Sequence, residues 1–300
     1  MPNILKIKPI DNWLKKNNWN YYNHQIETLK LSDNGFDVLL IAPTGGGKTL
    51  AGFLPSLNDL INNRPEKNKL HTLYISPLKA LTIDVHRNLN HPIEDQGLDI
   101  RVETRTGDTS AYKKNRQKVL PPHMLMTTPE SLALLLSNKE SKDYFKDLKY
   151  LIIDEIHVLV NSKRGDLLSL NLSRIHSISP DCKRIGLSAT VKNKETVLKF
   201  LTSKNKAKIL NVKETSLLKI EILETKTRVP WSGHMASYAI KDIYQKIQKS
   251  SLTIVFVNTR AQAELVFNKL WQENDNNLRI AIHHGSLEKE IRRKVENLMS

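Results

Sequence analysis

The octapeptide Ala42-Pro43-Thr44-Gly45-Gly46-Gly47-Lys48-Thr49 follows the apolar run Val38-Leu39-Leu40-Ile41 and precedes a segment of helical character over residues 49–61. Three successive glycines let backbone N–H groups turn inward on a polyanion without interference from Cβ, and the helix that follows offers its positive end. Lys48 then reaches the outer phosphates of a nucleotide, and the Thr49 hydroxyl is placed to hold Mg²⁺. The usual pattern begins with Gly where this chain has Ala42, so the spacing to Gly47-Lys48-Thr49 is kept with one departure.

Working outward, short apolar runs alternate with helical segments. Runs at 71–75, 100–104, 123–127, 150–153 and 183–187 read as strands, and segments at 78–90, 131–136 and 191–211 read as helices, with His91-Pro92 as a helix stop. Such alternation points to an α/β fold with a parallel sheet covered on both faces, whose ligands bind at the carboxyl ends of the strands. Five polar stations fall at those ends: the glycine loop, Ser76-Pro77, Thr128-Pro129-Glu130, Asp154-Glu155 and Ser188-Ala189-Thr190. From about residue 213 the alternation restarts, with strands expected at 218–223, 252–257 and 278–282 and helices at 235–249 and 261–272.

The run Tyr150-Leu151-Ile152-Ile153 ends in Asp154-Glu155-Ile156-His157, about a hundred residues after the glycine loop. An acidic pair in that position suits nucleotide hydrolysis. Asp154 holds Mg²⁺ through its water shell and Glu155 polarises the attacking water, while His157 passes the nucleotide state to Ser188-Ala189-Thr190. No Cys or carboxylate spacing accompanies His157, His283 and His284, so a zinc site is not indicated.

The net charge of +15 and pI of about 9.7 suit a polyanionic partner. Lysines outnumber arginines by 33 to 13, however, a bias that runs along the whole chain and leaves open whether the charge forms a binding stripe. The basic segment Lys113-Lys114-Asn115-Arg116-Gln117-Lys118 reads as a solvated helix face. No apolar run approaches a membrane span, the N-terminal twenty residues lack an export core, and the one cysteine, Cys182, fits a reducing compartment. A soluble, cytoplasmic protein is expected.

Taken together, A-P-T-G-G-G-K-T-L-A-G-F-L-P at 42–55, Y-I-S-P-L-K-A-L at 74–81, T-G-D-T at 106–109, T-T-P-E-S-L at 127–132, D-E-I-H at 154–157, K-R-G-D at 163–166, I-G-L-S-A-T at 185–190, F-V-N-T-R at 256–260 and H-H-G-S-L at 283–287 resemble the superfamily 2 DEAD/DEAH-box helicases. Within them the chain resembles the Lhr-like (large helicase-related) DNA helicases and, in the wording of its segments, the ligase-associated DEXH-box branch. The resemblance implies two RecA-like P-loop domains with parallel sheets, 1–212 as the ATP-binding domain and 213–300 as the start of the C-terminal domain, the latter incomplete. It implies an ATP-dependent enzyme moving 3′ to 5′ on single-stranded or forked DNA, with an RNA–DNA hybrid as an open alternative and DNA repair proteins as partners.

By the same analogy Gln25 reads adenine, and Thr44, Gly45, Gly46, Gly47, Lys48 and Thr49 hold the phosphates. Ser76, Pro77, Lys79, Thr106, Gly107, Asp108, Thr128, Pro129 and Glu130 touch the DNA backbone from the first domain, and Asn258, Thr259, Arg260, His283, His284 and Gly285 touch it from the second. The family's Gly-Ile-Asp and Gln-Arg-x-Gly-Arg-x-x-Arg elements, the source of arginine fingers, do not occur in these 300 residues. These residues alone are therefore expected to bind nucleotide and hydrolyse it feebly or not at all. A nucleic-acid-binding fragment without sustained catalysis and a double-stranded DNA translocase are the competing readings.

Overall fold

The computed structural model describes residues 7–63, 68–203, 206–212, 219–225, 231 and 237–299. The chain divides into two compact units, Met1–Ser216 and Leu217–Ser300.

The first unit is built on seven strands: β1 (Asp37–Ile41), β2 (Thr72–Ile75), β3 (Val102–Arg105), β4 (Met124–Thr127), β5 (Tyr150–Ile153), β6 (Lys183–Ser188) and β7 (Ala207–Asn211). They form one sheet in the order β3-β4-β2-β5-β6-β1-β7, and every pairing is parallel. Two helices, α1 (Lys8–Lys16) and α2 (Asn23–Asp33), precede β1, and parallel strands need crossovers, which eight more supply: α3 (Lys48–Asn62), α4 (Lys79–Asp95), α5 (Ala111–Val119), α6 (Pro129–Leu136), α7 (Ser141–Phe145), α8 (Ile156–Leu159), α9 (Lys163–Ile178) and α10 (Lys194–Leu201).

The central strands are mostly apolar because helices cover both faces, whereas the edge strands β3 and β7 carry Glu103, Arg105 and Lys208. Alternate residues feed two separate cores. Leu40, Tyr74, Met126, Ile152 and Ile185 face one core, with Trp13, Phe53, Leu57 and Leu89 from α1, α3 and α4. Leu39, Leu73, Leu125, Leu151 and Ile153 face the other, with side chains of α6 to α10 such as Leu132, Leu172 and Leu201. The register pins the sheet inwardly as well: Asp37, almost fully buried, accepts the Arg184 backbone N–H at 2.8 Å, fastening β1 to β6.

Three sequence expectations are corrected here. The helix read over 191–211 is α10 followed by the strand β7, which pairs with β1 from Asp37↔Ala207 to Ile41↔Asn211. Pro92 does not stop α4, which continues to Asp95. The Pro92 ring is buried, and its carbonyl accepts from Gln96 N–H, so the proline costs one donor without ending the turn. The strands expected at 252–257 and 278–282, and in the described part of 218–223, do not form.

The second unit contains a 3₁₀ turn at Ser237–Ala239 and the helices α11 (Ile240–Gln248), α12 (Arg260–Gln272) and α13 (Lys289–Met299), with no strand among its described residues. A small apolar cluster of Ile240, Tyr244, Val266 and Leu270 joins α11 to α12. Phe256 and Ile222 stand about nine-tenths exposed, so these apolar runs lack the paired neighbours that a parallel strand requires.

Candidate functional site

The strand order decides what can meet at the carboxyl edge of the first sheet. β6 lies between β5 and β1, with Ser188 opposite Ile41 and Gly186 opposite Ile153. The glycine loop after β1, the Ser188 station after β6 and the acidic pair after β5 therefore stand side by side, one strand spacing of about 4.8 Å apart. On the far side of β5 come β2, β4 and β3, whose ends carry Ser76-Pro77, Thr128-Pro129-Glu130 and Thr106-Gly107-Asp108. One edge is thus divided into a nucleotide half, β5-β6-β1, and a half formed by β2-β4-β3.

In the loop, Gly45 and Gly47 adopt left-handed backbone conformations, φ 79° and 70°. At Gly47 a Cβ would stand 2.6 Å from Gln25 Nε2, so the position admits neither the conformation nor the bulk of a side chain. Lys48 is buried and donates to the carbonyls of Ala42 at 2.9 Å and Pro43 at 3.2 Å. Its ammonium is held inside the loop at the mouth of α3, where a phosphate oxygen can replace those carbonyls. Thr44 is exposed, Gly46 and Thr49 are half-buried, and Thr49 opens α3 beside Lys48.

Gln25, nearly fully buried, uses both ends of its amide. Its Oε1 accepts the Tyr22 backbone N–H at 2.9 Å and its Nε2 donates to Gly47 O at 3.1 Å. His24 Nε2 lies 2.8 Å from Gly46 O, and its ring stacks on Tyr22. Burial lowers the His24 pKa, which keeps the ring neutral beside the loop. The α2 segment therefore clamps the glycine loop, and the amino group and ring nitrogen of an adenine edge would compete with the Tyr22 and Gly47 bonds for the Gln25 amide. Trp13, Trp19, Tyr22, Gln25 and Phe53 line a cavity of about 640 Å³ that opens onto Gly47 and Thr49, with room for a purine and its ribose.

Asp154 is buried and fixed by two donors, the Tyr74 hydroxyl at 2.5 Å on Oδ2 and the Glu155 N–H at 2.8 Å on Oδ1. Burial and the adjacent Asp154 carboxylate hold the Tyr74 hydroxyl well above its ordinary pKa, so it remains a donor. Tyr74 was not singled out in the sequence. Its signal is a tyrosine between Leu73 and Ile75 in the strand beside the one that carries the acidic pair. Glu155 sits at φ 45°, a left-handed conformation that turns it away from the strand at the head of α8. Burial, then the Asp154 charge, push its carboxyl up, while Lys48 and His157 pull it back. A carboxylate made more basic in this way suits proton abstraction from water.

His157 connects the halves of this line. Its Nδ1 is 2.9 Å from Ser188 Oγ and 3.4 Å from Glu155 Oε2. Ser188 Oγ also lies 3.4 Å from Thr190 O, with Ala189 between them half-buried. A change at Glu155 can therefore reach the 188–190 turn through a single imidazole.

In the other half, Ser76 Oγ bonds Leu78 at the head of α4, and Thr128 Oγ1 donates to Ser131 Oγ. Ser76, Pro77, Thr106, Thr128 and Pro129 are buried, whereas Lys79, Gly107, Asp108 and Glu130 are exposed. Lys79 Nζ is 3.0 Å from Asp108 Oδ1, and Lys114 donates to Gly107 O at 3.0 Å. The basic segment 113–118 lies on α5, where Arg116 also pairs with Glu103 at 2.6 Å.

In the second unit Thr259 caps α12, accepting Gln262 N–H, and Asn258 N–H donates to Gln262 Oε1. Arg260 Nη1 donates to Ser286 Oγ at 2.6 Å, which brings the 256–260 and 283–287 motifs together beside Gly285. His283 faces Glu296 and His284 faces Glu264.

The K-R-G-D motif at 163–166 also has a structural reason. Ser162 caps α9 by accepting Gly165 N–H at 3.1 Å, and a Cβ on Gly165 would lie 1.9 Å from the Leu159 carbonyl oxygen. Gly165→Ala is expected to lower stability by about 2–3 kcal/mol, read in a urea unfolding curve. A change below 0.5 kcal/mol would contradict this packing.

A sequence profile described as DEAD/DEAH box helicase matches residues 22–198. That span contains the glycine loop, the acidic pair and the Ser188 turn. The chain belongs to the DEAD/DEAH box helicase family. Among the relatives of this chain, the ATP-dependent helicase Lhr-Core protein 2 of Thermococcus barophilus is 37% identical over 285 residues, which cover 87% of this chain and 33% of that protein. The Lhr helicase/uracil glycosylase of Escherichia coli is 33% identical over 82% of this chain and 18% of its own length.

The structure of Mycobacterium smegmatis helicase Lhr bound to ssDNA and AMP-PNP superposes with a TM-score of 0.71 at 32% identity, covering 91% of this chain and 37% of that one. The likeness to Lhr-type helicases read from the motifs is thus borne out. The chain spans about a third of the length of the Lhr-Core relatives it matches. No helix among its described residues is long and apolar enough to cross a membrane.

Proposed function

We propose that this chain forms the ATP-binding portion of an ATP-dependent DNA helicase, coupling hydrolysis to 3′-to-5′ movement along single-stranded DNA and to strand separation during DNA repair in the cytoplasm. The observation that carries the reading is the line of three neighbouring strand ends: Lys48 after β1, Ser188 after β6, and Asp154 with Glu155 after β5. Lys48 and the loop amides hold the phosphates of ATP. The Thr49 hydroxyl and Asp154 carboxylate are hard oxygen donors that fit Mg²⁺, which would neutralise phosphate charge. Asp154, held by Tyr74 and Glu155, is preorganised for that role. Glu155 takes a proton from water, and His157 relays the change to Ser188.

The proposed DNA track runs over the ends of β2, β4 and β3, with Asn258, Thr259, Arg260, His283, His284 and Gly285 contributing from the second unit. Backbone contacts suit a motor, because phosphates recur at every nucleotide and carry no sequence. The Lhr structure named above, with ssDNA and AMP-PNP bound, supports this pairing of ligands.

The test uses the complete protein with a forked duplex. ATP-dependent release of the strand paired beside a 3′ tail, and none from a 5′-tailed duplex, is the expected result. Movement on blunt duplex without strand separation would favour a double-stranded DNA translocase. Ser188→Ala removes the His157 partner and leaves the phosphate loop intact. It is expected to retain ATP hydrolysis within about threefold while unwinding falls about tenfold or more, since one buried hydrogen bond to the relay is lost. Parallel losses in both assays would assign Ser188 to the chemistry instead.

A further inference from the structure

Glu130 and Asp108 sit on a surface proposed to carry a polyanion, which is an unfavourable place for carboxylates. The structure shows how Glu130 is accommodated. Its Oε1 accepts Arg164 Nε–H at 2.5 Å and its Oε2 accepts Arg164 Nη2–H at 3.1 Å, a two-pronged pair. Thr128-Pro129-Glu130 leads into α6, Arg164 lies in the first turn of α9, and these two helices pack against each other; Asn171 of α9 reaches Pro129 O at 3.5 Å. The pair thus crosses between two helix starts at the strand-bearing half of the sheet edge.

The guanidinium has five N–H donors in a fixed plane, and Glu130 takes two of them along one edge. The Arg164 side chain remains 42% exposed, with its Nη1 edge turned from the pair. The hydrogen bond from Arg164 holds the Glu130 carboxyl below its usual range, so the pair stays ionised at neutral pH. Close contact of Gly165 with Leu159 O and the Ser162 cap set where α9 begins, and with it where Arg164 stands.

We infer that Arg164 is a phosphate-binding residue of the strand track and that Glu130 is its positioning residue, holding the guanidinium while making no contact with the strand itself. This rests on the proposed nucleic-acid reading of the same surface. An arginine anchored on one edge presents its other edge with little further loss of freedom, which is how a bidentate pair favours phosphate recognition. The Lys79–Asp108 pair, 3.0 Å apart on the neighbouring strand end, repeats the arrangement of a cation held by an acid.

The test measures binding of a fluorescein-labelled oligo-dT to the 300-residue chain across a salt series, with binding of a fluorescent ATP analogue as the check of fold. Arg164→Ala is expected to weaken oligo-dT binding about tenfold and to reduce the magnitude of the log–log salt slope by about 0.7, one phosphate contact on a single strand. Arg164→Lys keeps the charge, so the slope is retained while affinity falls. Glu130→Gln still accepts from Arg164 through its amide oxygen and removes a negative charge, so binding is retained or tightened.

Glu130→Ala releases Arg164 and weakens binding about threefold, with no added loss in the double variant. ATP-analogue binding stays unchanged throughout. An unchanged salt slope in Arg164→Ala, with the wild type binding normally, overturns the assignment of Arg164 alone. Weaker binding in Glu130→Gln than in Glu130→Ala makes Glu130 a direct strand contact and overturns its positioning role. Failure of the wild-type chain to bind oligo-dT overturns this inference together with the nucleic-acid reading.

Discussion

Glu155→Gln is expected to lower ATP hydrolysis by the complete protein by about 10²- to 10⁴-fold while ATP affinity stays within about threefold of wild type. The amide cannot accept a proton from water, yet it keeps the volume of the carboxylate. Nothing that holds Asp154 is disturbed, because the bond to Asp154 Oδ1 comes from the Glu155 backbone N–H and the bond to Oδ2 from Tyr74. The substitution also retains the left-handed turn at the head of α8, since glutamine tolerates φ 45° no worse than glutamate does. Single-turnover hydrolysis and equilibrium binding of an ATP analogue separate the two quantities. Loss of nucleotide binding in this variant would transfer Glu155 from the chemistry to the binding of ATP.

Lys48→Ala is expected to have the opposite signature. Removing a buried cation that meets the outer phosphates should weaken ATP binding by about 100-fold. Within the loop Lys48 donates to Ala42 O and Pro43 O, so the variant also leaves two carbonyls without that partner. A thermal melt of the variant therefore accompanies the titration. A retained melting transition with ATP binding lost is the expected pattern. Wild-type affinity in Lys48→Ala would place the nucleotide elsewhere.

Much of this arrangement was legible in the sequence. The strand at 150–153 and the acidic pair after it stand where the apolar run and its charged end place them, because a strand buried on both faces must be apolar throughout. The glycine loop was equally readable, since its glycines answer a backbone requirement that no other residue meets. β7 was not. It is an edge strand, Ala207-Lys208-Ile209-Leu210-Asn211, in which no residue is fully buried, and its lysine continues the Lys-rich composition of the helix before it. The second unit's apolar runs at 252–257 and 278–282 carry strong strand composition but form no strand pairing among the described residues, and composition does not report whether a neighbour is present.

Partnership was the other hidden quantity. Gln25 reads in sequence as an adenine sensor, and in the structure its amide is already engaged with Tyr22 and Gly47. Glu130 reads as a strand contact, and in the structure it holds Arg164. Both facts depend on residues 22 and 34 positions away, which local pattern does not connect.

The central claim is that the nucleotide half and the strand half of one sheet edge are coupled across the neighbouring ends of β5 and β2, with the His157–Ser188 contact inside the nucleotide half setting the response to nucleotide. Coupling of two ligands is reciprocal and can be read from either side. The direct measurement is the affinity of the 300-residue chain for labelled oligo-dT with and without a non-hydrolysable ATP analogue and Mg²⁺. The expected result is an affinity that changes about fivefold or more when nucleotide binds, on the scale of ordinary coupling energies, and that ceases to change in Ser188→Ala. Two ligands that each bind while neither alters the affinity of the other would contradict it.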